Sequence, residues 1–219
     1  MSSFTTASKL FRFLLPCLMA MSGIAFAADV VITSEQKGTE VIALGYIEFP
    51  CVKGDPKASS SPPGTVLVDD LHFSGRFNVR FATTFDTSTK TLFKQDGALA
   101  YLRGSYTLEK DRYTLDCELV DIDSGTTIIK KHYEGPKEQL RLAAHQFADE
   151  LVYQLFGEKG IAQTRITYVN KRSTGKEVAA MDYDGANARE IAPNKSINLT
   201  PIFLGAKDKI LFTSYAAGV

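Results

Sequence analysis

The chain has 219 residues, with 25 basic against 25 acidic side chains and 44% apolar residues. Balanced charge without a basic stripe excludes a nucleic-acid surface, and the ordinary apolar share excludes a disordered chain. The length allows one or two domains.

Residues 1–27 read as a secretion signal. Lys9 and Arg12 give a positive start, and Phe13-Leu14-Leu15-Pro16-Cys17-Leu18-Met19-Ala20-Met21 forms a short apolar stretch. Ala25-Phe26-Ala27 is a small-x-small cleavage site. The stretch is shorter than the ~20 apolar residues that a spanning helix needs. Pro16 precedes Cys17 where a lipoprotein cysteine takes a small residue. The expected mature chain starts near Ala28, is exported, and carries two more acids than bases. Export permits a disulfide between Cys51 and Cys117, although two cysteines alone do not specify one.

Asp29, Val30, Val31, Ile32, Thr33 and Ser34 alternate as an edge strand or an extended arm would. Val41-Ile42-Ala43-Leu44-Gly45-Tyr46-Ile47 is a buried-type strand. Residues 50–64 are rich in Pro, Gly and Ser and predict a loop. Residues 65–72 predict a short helix, with Val66, Leu67 and Leu71 on one face and Gly75 closing it. Residues 77–81 alternate as a strand, and residues 86–90 read as a polar loop.

Residues 98–108, 113–120 and 126–133 predict three strands with short links, hence an antiparallel meander. Tyr113, Leu115, Cys117 and Leu119 share one face of it. The next segment predicts a helix opened by Pro136 and ended by Gly157. Its apolar stripe is Leu140, Ala144, Phe147, Leu151 and Leu155; Arg141, Gln146, Asp149, Glu150 and Gln154 are left for the wet side. The fold class is therefore α+β: an antiparallel sheet covered by helices on one face.

After a short hinge at 158–163, strands are predicted at 165–169, 177–182, 189–192 and 209–215, with a turn at Asp182-Tyr183-Asp184-Gly185. Four short strands at this spacing describe one β-propeller blade. A single blade cannot bury both faces alone, so it points to a binding surface. The domain reading is a signal at 1–27, an α/β domain at 28–160 and a partial propeller at 161–219.

Catalytic chemistry is not signalled. His72, His132 and His145 are scattered, with no metal-binding spacing, no nucleophile elbow and no phosphate loop. Asp182 and Asp184 lack the further oxygens of a calcium loop and read as turn formers, as do Asp121 and Asp123. Catalytic, cofactor and metal residues are all expected to be absent. Asn198-Leu199-Thr200 matches an N-glycosylation sequon, a match that means nothing if the signal exports the chain to a bacterial periplasm.

Asp70-Leu71-His72-Phe73-Ser74-Gly75-Arg76-Phe77 is similar to the D-L-x-x-S-G-x-F segment of the TolB family, the periplasmic component of the Tol–Pal system. Gly104-Ser105-Tyr106, Leu119-Val120-Asp121 and Phe147-Ala148-Asp149-Glu150 resemble its later segments. Phe156-Gly157-Glu158-Lys159-Gly160-Ile161-Ala162 resembles its junction into the propeller. Ile166-Thr167-Tyr168-Val169, the turn at Asp182 and Leu199-Thr200-Pro201 resemble its first blade. Departures are the composition of residues 49–64, Phe203 where Trp is frequent, and Lys207-Asp208 in place of S-P-D-G.

The resemblance implies a non-enzymatic periplasmic protein that maintains outer-membrane integrity and serves constriction at cell division and colicin uptake. It implies a TolA-like inner-membrane partner bound by the N-terminal arm and a Pal-like lipoprotein bound by the propeller. By position the arm is Asp29, Val30, Val31, Ile32, Thr33 and Ser34; such a segment suits strand addition, and a fraying terminus fits the same residues. Most of the family's blades are not in this sequence, so a short protein and a truncated product both stay open. The alternative from another class is the leading part of an exported propeller-containing hydrolase. A small carbohydrate- or peptide-binding module is disfavoured by the lack of Trp.

Overall fold

In the computed structural model, residues 41–59, 61–173, 175–205 and 209–216 are described. The expected signal and the arm at 29–34 lie outside them. The sheet is built on β1 (Ile42–Ile47), β2 (Cys51–Lys53), β3 (Phe77–Ala82), β4 (Ala100–Glu109), β5 (Arg112–Asp121) and β6 (Thr127–Pro136). Its order is β3-β1-β4-β5-β6, with β2 paired to β4.

The meander β4–β5–β6 is antiparallel as its short links require. The sheet as a whole is mixed, because β1 runs parallel to both β3 and β4 and β2 is parallel to β4. A helix supplies the crossover from β1 to β3, as parallel neighbours demand. This helix, α1 (Pro63–Phe73), starts on a proline and buries Val66, Leu67, Asp70 and Leu71. The segment expected to be plain loop holds β2 and a 3-10 turn at Pro56–Ala58.

α3 (Leu140–Phe156) lies beside α1 and covers the same sheet face. It begins after a 3-10 turn at Lys137–Gln139, while Pro136 closes β6, and Gly157 ends it with a left-handed φ of 69°. Tyr113, Leu115, Cys117 and Leu119 meet Leu140, Phe147 and Leu151 in this core. Residues 86–90, expected as loop, instead open α2 (Thr87–Gln95), capped by the Asp86 side chain at the Thr89 N–H. α2 covers the opposite face, where Phe93 packs with Ala98, Tyr101, Val120 and Ile122. Helices thus lie on both faces.

The C-terminal strands are β7 (Arg165–Arg172), β8 (Gly175–Asp182), β9 (Arg189–Glu190), β10 (Asn198–Leu204) and β11 (Lys209–Ser214). β7–β8–β9 form one antiparallel sheet and β10–β11 a separate hairpin. The strand at 209–215 therefore pairs with an unexpected neighbour rather than completing a four-stranded sheet. β10 was hidden by Pro201, which sits where the ladder register shifts beside Thr200 at φ 49°. No sheet closes on itself among the described residues. No described helix is long and apolar enough to cross a membrane.

Candidate functional site

The segments that looked like separate short motifs converge where α1 and α3 meet the start of the C-terminal strands. Asp70 falls on the buried stripe of α1, at the same turn as Val66 and Leu67, and is drawn inside with them. Its Oδ2 lies 2.6 Å from Nδ1 of His145, itself buried on α3. Burial raises the Asp70 carboxyl above its usual range, and the imidazole hydrogen bond pulls partly back. Four residues before His145, Arg141 reaches Oδ2 of Asp184 in the turn after β8. That turn is closed by the Gly185 N–H donating to the Asp182 carbonyl, so the turn reading holds. The same residues also dock the strands on the helices.

Neighbouring contacts close the joint. Asp149 of α3 accepts from the Ala162 N–H at 2.7 Å and from the Gln163 amide at 2.8 Å. Gly160 passes so close that an added Cβ would lie 2.5 Å from the Asp149 Cα. Arg76 pairs with Glu158 at 2.7 Å and stacks over Phe156, whose ring edge meets Phe77 at 5.4 Å between centroids. Phe73 meets Tyr183 edge-on. Burial, then Asp70 and Asp149, push the Tyr183 phenol up.

Two clefts flank the cluster. One, of about 250 Å³, is lined by Asp70, Ser74, Lys159, Ile161 and Tyr183. The other, of about 290 Å³, is lined by Arg141, His145, Thr164 and Asp182. Among the described residues no hydroxyl or thiol is hydrogen-bonded to His145. The arrangement is a joint with a small polar interior.

A second polar cluster pins the hairpin to the sheet. The Asn198 amide, wholly buried, donates to the Lys176 carbonyl, to Glu177 and to Asn194. The sequon asparagine is therefore consumed in packing. The outer side of the hairpin carries exposed Ile202, Leu204 and Leu211.

The arm residues Asp29, Val30, Val31, Ile32, Thr33 and Ser34 lie outside the described residues, so their placement gives no geometry. Sequence reading assigned Arg141 and Asp149 to the wet side, whereas both face the joint. It passed over Asp70, His145 and Asp184 as a group because they are far apart in the chain and share no spacing signal. Cys51 and Cys117 are both free.

No family model matches the chain. Among curated proteins it is 29% identical over 92% of its length to a TolB homolog of Chlorobium chlorochromatii, covering 48% of that protein. It is 31% identical over 87% of its length to a Tol-Pal system protein TolB of Syntrophotalea carbinolica, covering 46% of that one. A TolB of Rickettsia peacockii is 34% identical over 69% of the chain. The crystal structure of TolB from Acinetobacter baumannii superposes on 81% of the chain and covers 45% of that structure, with a TM-score of 0.64 and 18% identity, which shows a shared fold. The chain spans about half the length of the curated relatives it matches.

Proposed function

Because the chain belongs to the TolB family over about half the length of its relatives, we propose that it acts as a non-enzymatic periplasmic protein of the Tol–Pal envelope system. In this reading it helps keep the outer membrane intact and drawn in at division, through protein–protein contacts. The carrying observation is sequence likeness to Tol–Pal TolB proteins across most of the chain. The geometry supports it: the titratable cluster is engaged in joining α1 and α3 to the strands, and the hairpin turns apolar side chains outward. The alternative of an exported hydrolase finds no support in the relatives.

The finer assignments follow the same reading. Residues 1–27 direct export and are removed near Ala27. Residues 28–160 form the N-terminal domain and 161–219 open the propeller. Asp29, Val30, Val31, Ile32, Thr33 and Ser34 engage a TolA-like inner-membrane protein by adding a strand to its sheet. A Pal-like lipoprotein contacts the propeller side.

Titration calorimetry of the processed chain with the soluble C-terminal domain of a TolA-like protein tests the proposal. Saturable binding that vanishes when residues 29–34 are deleted, with thermal stability unchanged, is expected. No binding by the intact processed chain, or equal binding after the deletion, would sink the arm assignment.

A further inference from the structure

We propose that the cleft between α3, the start of β7 and the end of β8 receives an uncharged amide, whose carbonyl oxygen accepts from Nε2 of His145 and Nε of Arg141. The cleft holds about 290 Å³, and both residues line it. They stand four apart on α3, neighbours on one face of the helix. Both nitrogens are buried and have no hydrogen-bond acceptor among the described residues. Nε of Arg141 lies 3.7 Å from Oδ2 of Asp182, beyond hydrogen-bond reach, while the far end of the guanidinium is held by Asp184.

The hydrogen on Nε2 follows from the other side of the ring. Nδ1 lies 2.6 Å from Oδ2 of Asp70. Burial raises the Asp70 carboxyl, which therefore keeps a proton to share with Nδ1. Whether that proton rests on the carboxyl or on Nδ1, Nε2 carries a hydrogen of its own. Nε of Arg141 is always an N–H. Two donors thus face one cleft with nothing to receive them. Unmade buried donors are costly, and native interiors seldom keep them. Both are closed off from bulk water, so the cleft wall parts as the oxygen enters, and the hydrogen bonds gained favour that opening.

The remaining polar groups of the cleft have work elsewhere. Thr164 donates to the Ile161 carbonyl, Gln163 to Asp149 and Asn187 to Asp182. Charge then decides between an anion and a neutral acceptor. Glu138 and Asp182 line the cleft and Asp184 neutralises Arg141, which leaves one cation, Arg165, against two carboxylates. A carboxylate or phosphate ligand would meet that negative excess, whereas an amide brings the acceptor without the charge. The amide comes from a peptide backbone or from an Asn or Gln side chain. Leu142, exposed at the same cleft, offers apolar contact to the carbon beside the carbonyl. None of this rests on the Tol–Pal assignment.

The test is an NMR titration of the full chain, followed at the imidazole nitrogens. N-methylacetamide stands for the backbone, propionamide for the side chain, and propionate is the charged control of similar size. Nε2 of His145 should report as protonated and shift saturably with an amide, at a Kd of about 1–10 mM for so small a ligand. Tighter binding of N-methylacetamide marks the backbone source, and tighter binding of propionamide the side-chain source. Propionate should bind ~10-fold more weakly or not at all. Arg141→Lys keeps the charge toward Asp184 and removes Nε; it and His145→Phe should each weaken the amide ~3–10-fold, the effect of one lost hydrogen bond. Should His145→Phe fail to fold by circular dichroism, Arg141→Lys and the imidazole signals of the unaltered chain carry the test. An unprotonated Nε2, no saturable shift with either amide, a response to propionate as strong as to the amides, or full affinity in Arg141→Lys would overturn the assignment.

Discussion

The imidazole Nδ1 of His145 and the carboxylate Oδ2 of Asp70 meet at 2.6 Å across 75 residues of sequence. The pair fixes α3 against α1 from inside the protein, and its acid has an unusual pH signature. Burial raises the Asp70 carboxyl above the ordinary 3.8. The folded chain then holds this proton at pH values where the unfolded chain has released it. Stability from this group is full below 3.8 and is lost as pH rises through the raised value. Urea unfolding of the unaltered chain and of Asp70→Asn, from about pH 4 to about pH 7, should show the unaltered chain's relative stability falling with pH. The same sign is expected in a His145→Gln background. A difference that rises with pH would mean Asp70 behaves as an ordinary paired carboxylate.

Arg141 and Asp184 form the neighbouring contact, with side chains 17% and 4% exposed. Asp184→Asn keeps an acceptor for the Ala186 N–H but removes the charge opposite Arg141. The expected cost is about 2 kcal/mol, typical of a lost hydrogen bond to a charged group. Amide exchange should quicken in residues 182–187 and stay slow in β4 and β5. A change within about 0.5 kcal/mol would show the pair to be worth no more than a surface ion pair.

Why the sequence revealed some of this and not the rest is physical. α3 was legible because Leu140, Ala144, Phe147 and Leu151 all bury on one stripe. The meander was legible because β5 alternates inside and outside with period two. α2 was not, because Phe93 is its only buried side chain, and one anchor makes no period. The parallel pairing of β1 with β3 and β4 depends on partners far along the chain, which local pattern does not encode. The joint was half legible: Asp182-Tyr183-Asp184-Gly185 read as a turn, but nothing local shows that Arg141 waits for Asp184.

Phe93 is wholly buried, and its ring lies where a Cβ on Gly45 would be, with a ring carbon only 2.3 Å away. Phe93→Ala should cost about 3–5 kcal/mol through the cavity it leaves. Gly45→Ala should cost about 1–3 kcal/mol by overpacking. The double variant should be less costly than the two together by at least ~0.5 kcal/mol, since the new methyl enters the space the ring vacates. Strict additivity in denaturant unfolding would show that α2 does not seat Phe93 on β1.

The two thiols are chemically distinct. Burial pushes the Cys117 thiol far up, while Cys51 is half-buried. In the chain without residues 1–27, a thiol reagent at neutral pH should modify Cys51 under native conditions and reach Cys117 only after denaturation. Mass mapping of the labelled peptides checks this. A linked Cys51–Cys117 peptide, or equal native labelling, contradicts it.

The hairpin β10–β11 depends on one asparagine. Asn198 Nδ2 donates at 3.1 Å to Oε2 of Glu177, whose Oε1 accepts the Lys195 N–H at 2.7 Å. Both residues are buried, so Asn198→Ala strands one carboxylate oxygen and should cost about 1.5–3 kcal/mol. Asn198→Asp should cost more at neutral pH, because two carboxylates then share a dry site, and its loss should shrink on acidification as one of them takes a proton. Amide exchange should rise in β10 and β11 and leave β4, β5 and α3 protected. If Asn198→Asp were less damaging than Asn198→Ala at neutral pH, the Asn198–Glu177 hydrogen bond would not be what holds the hairpin.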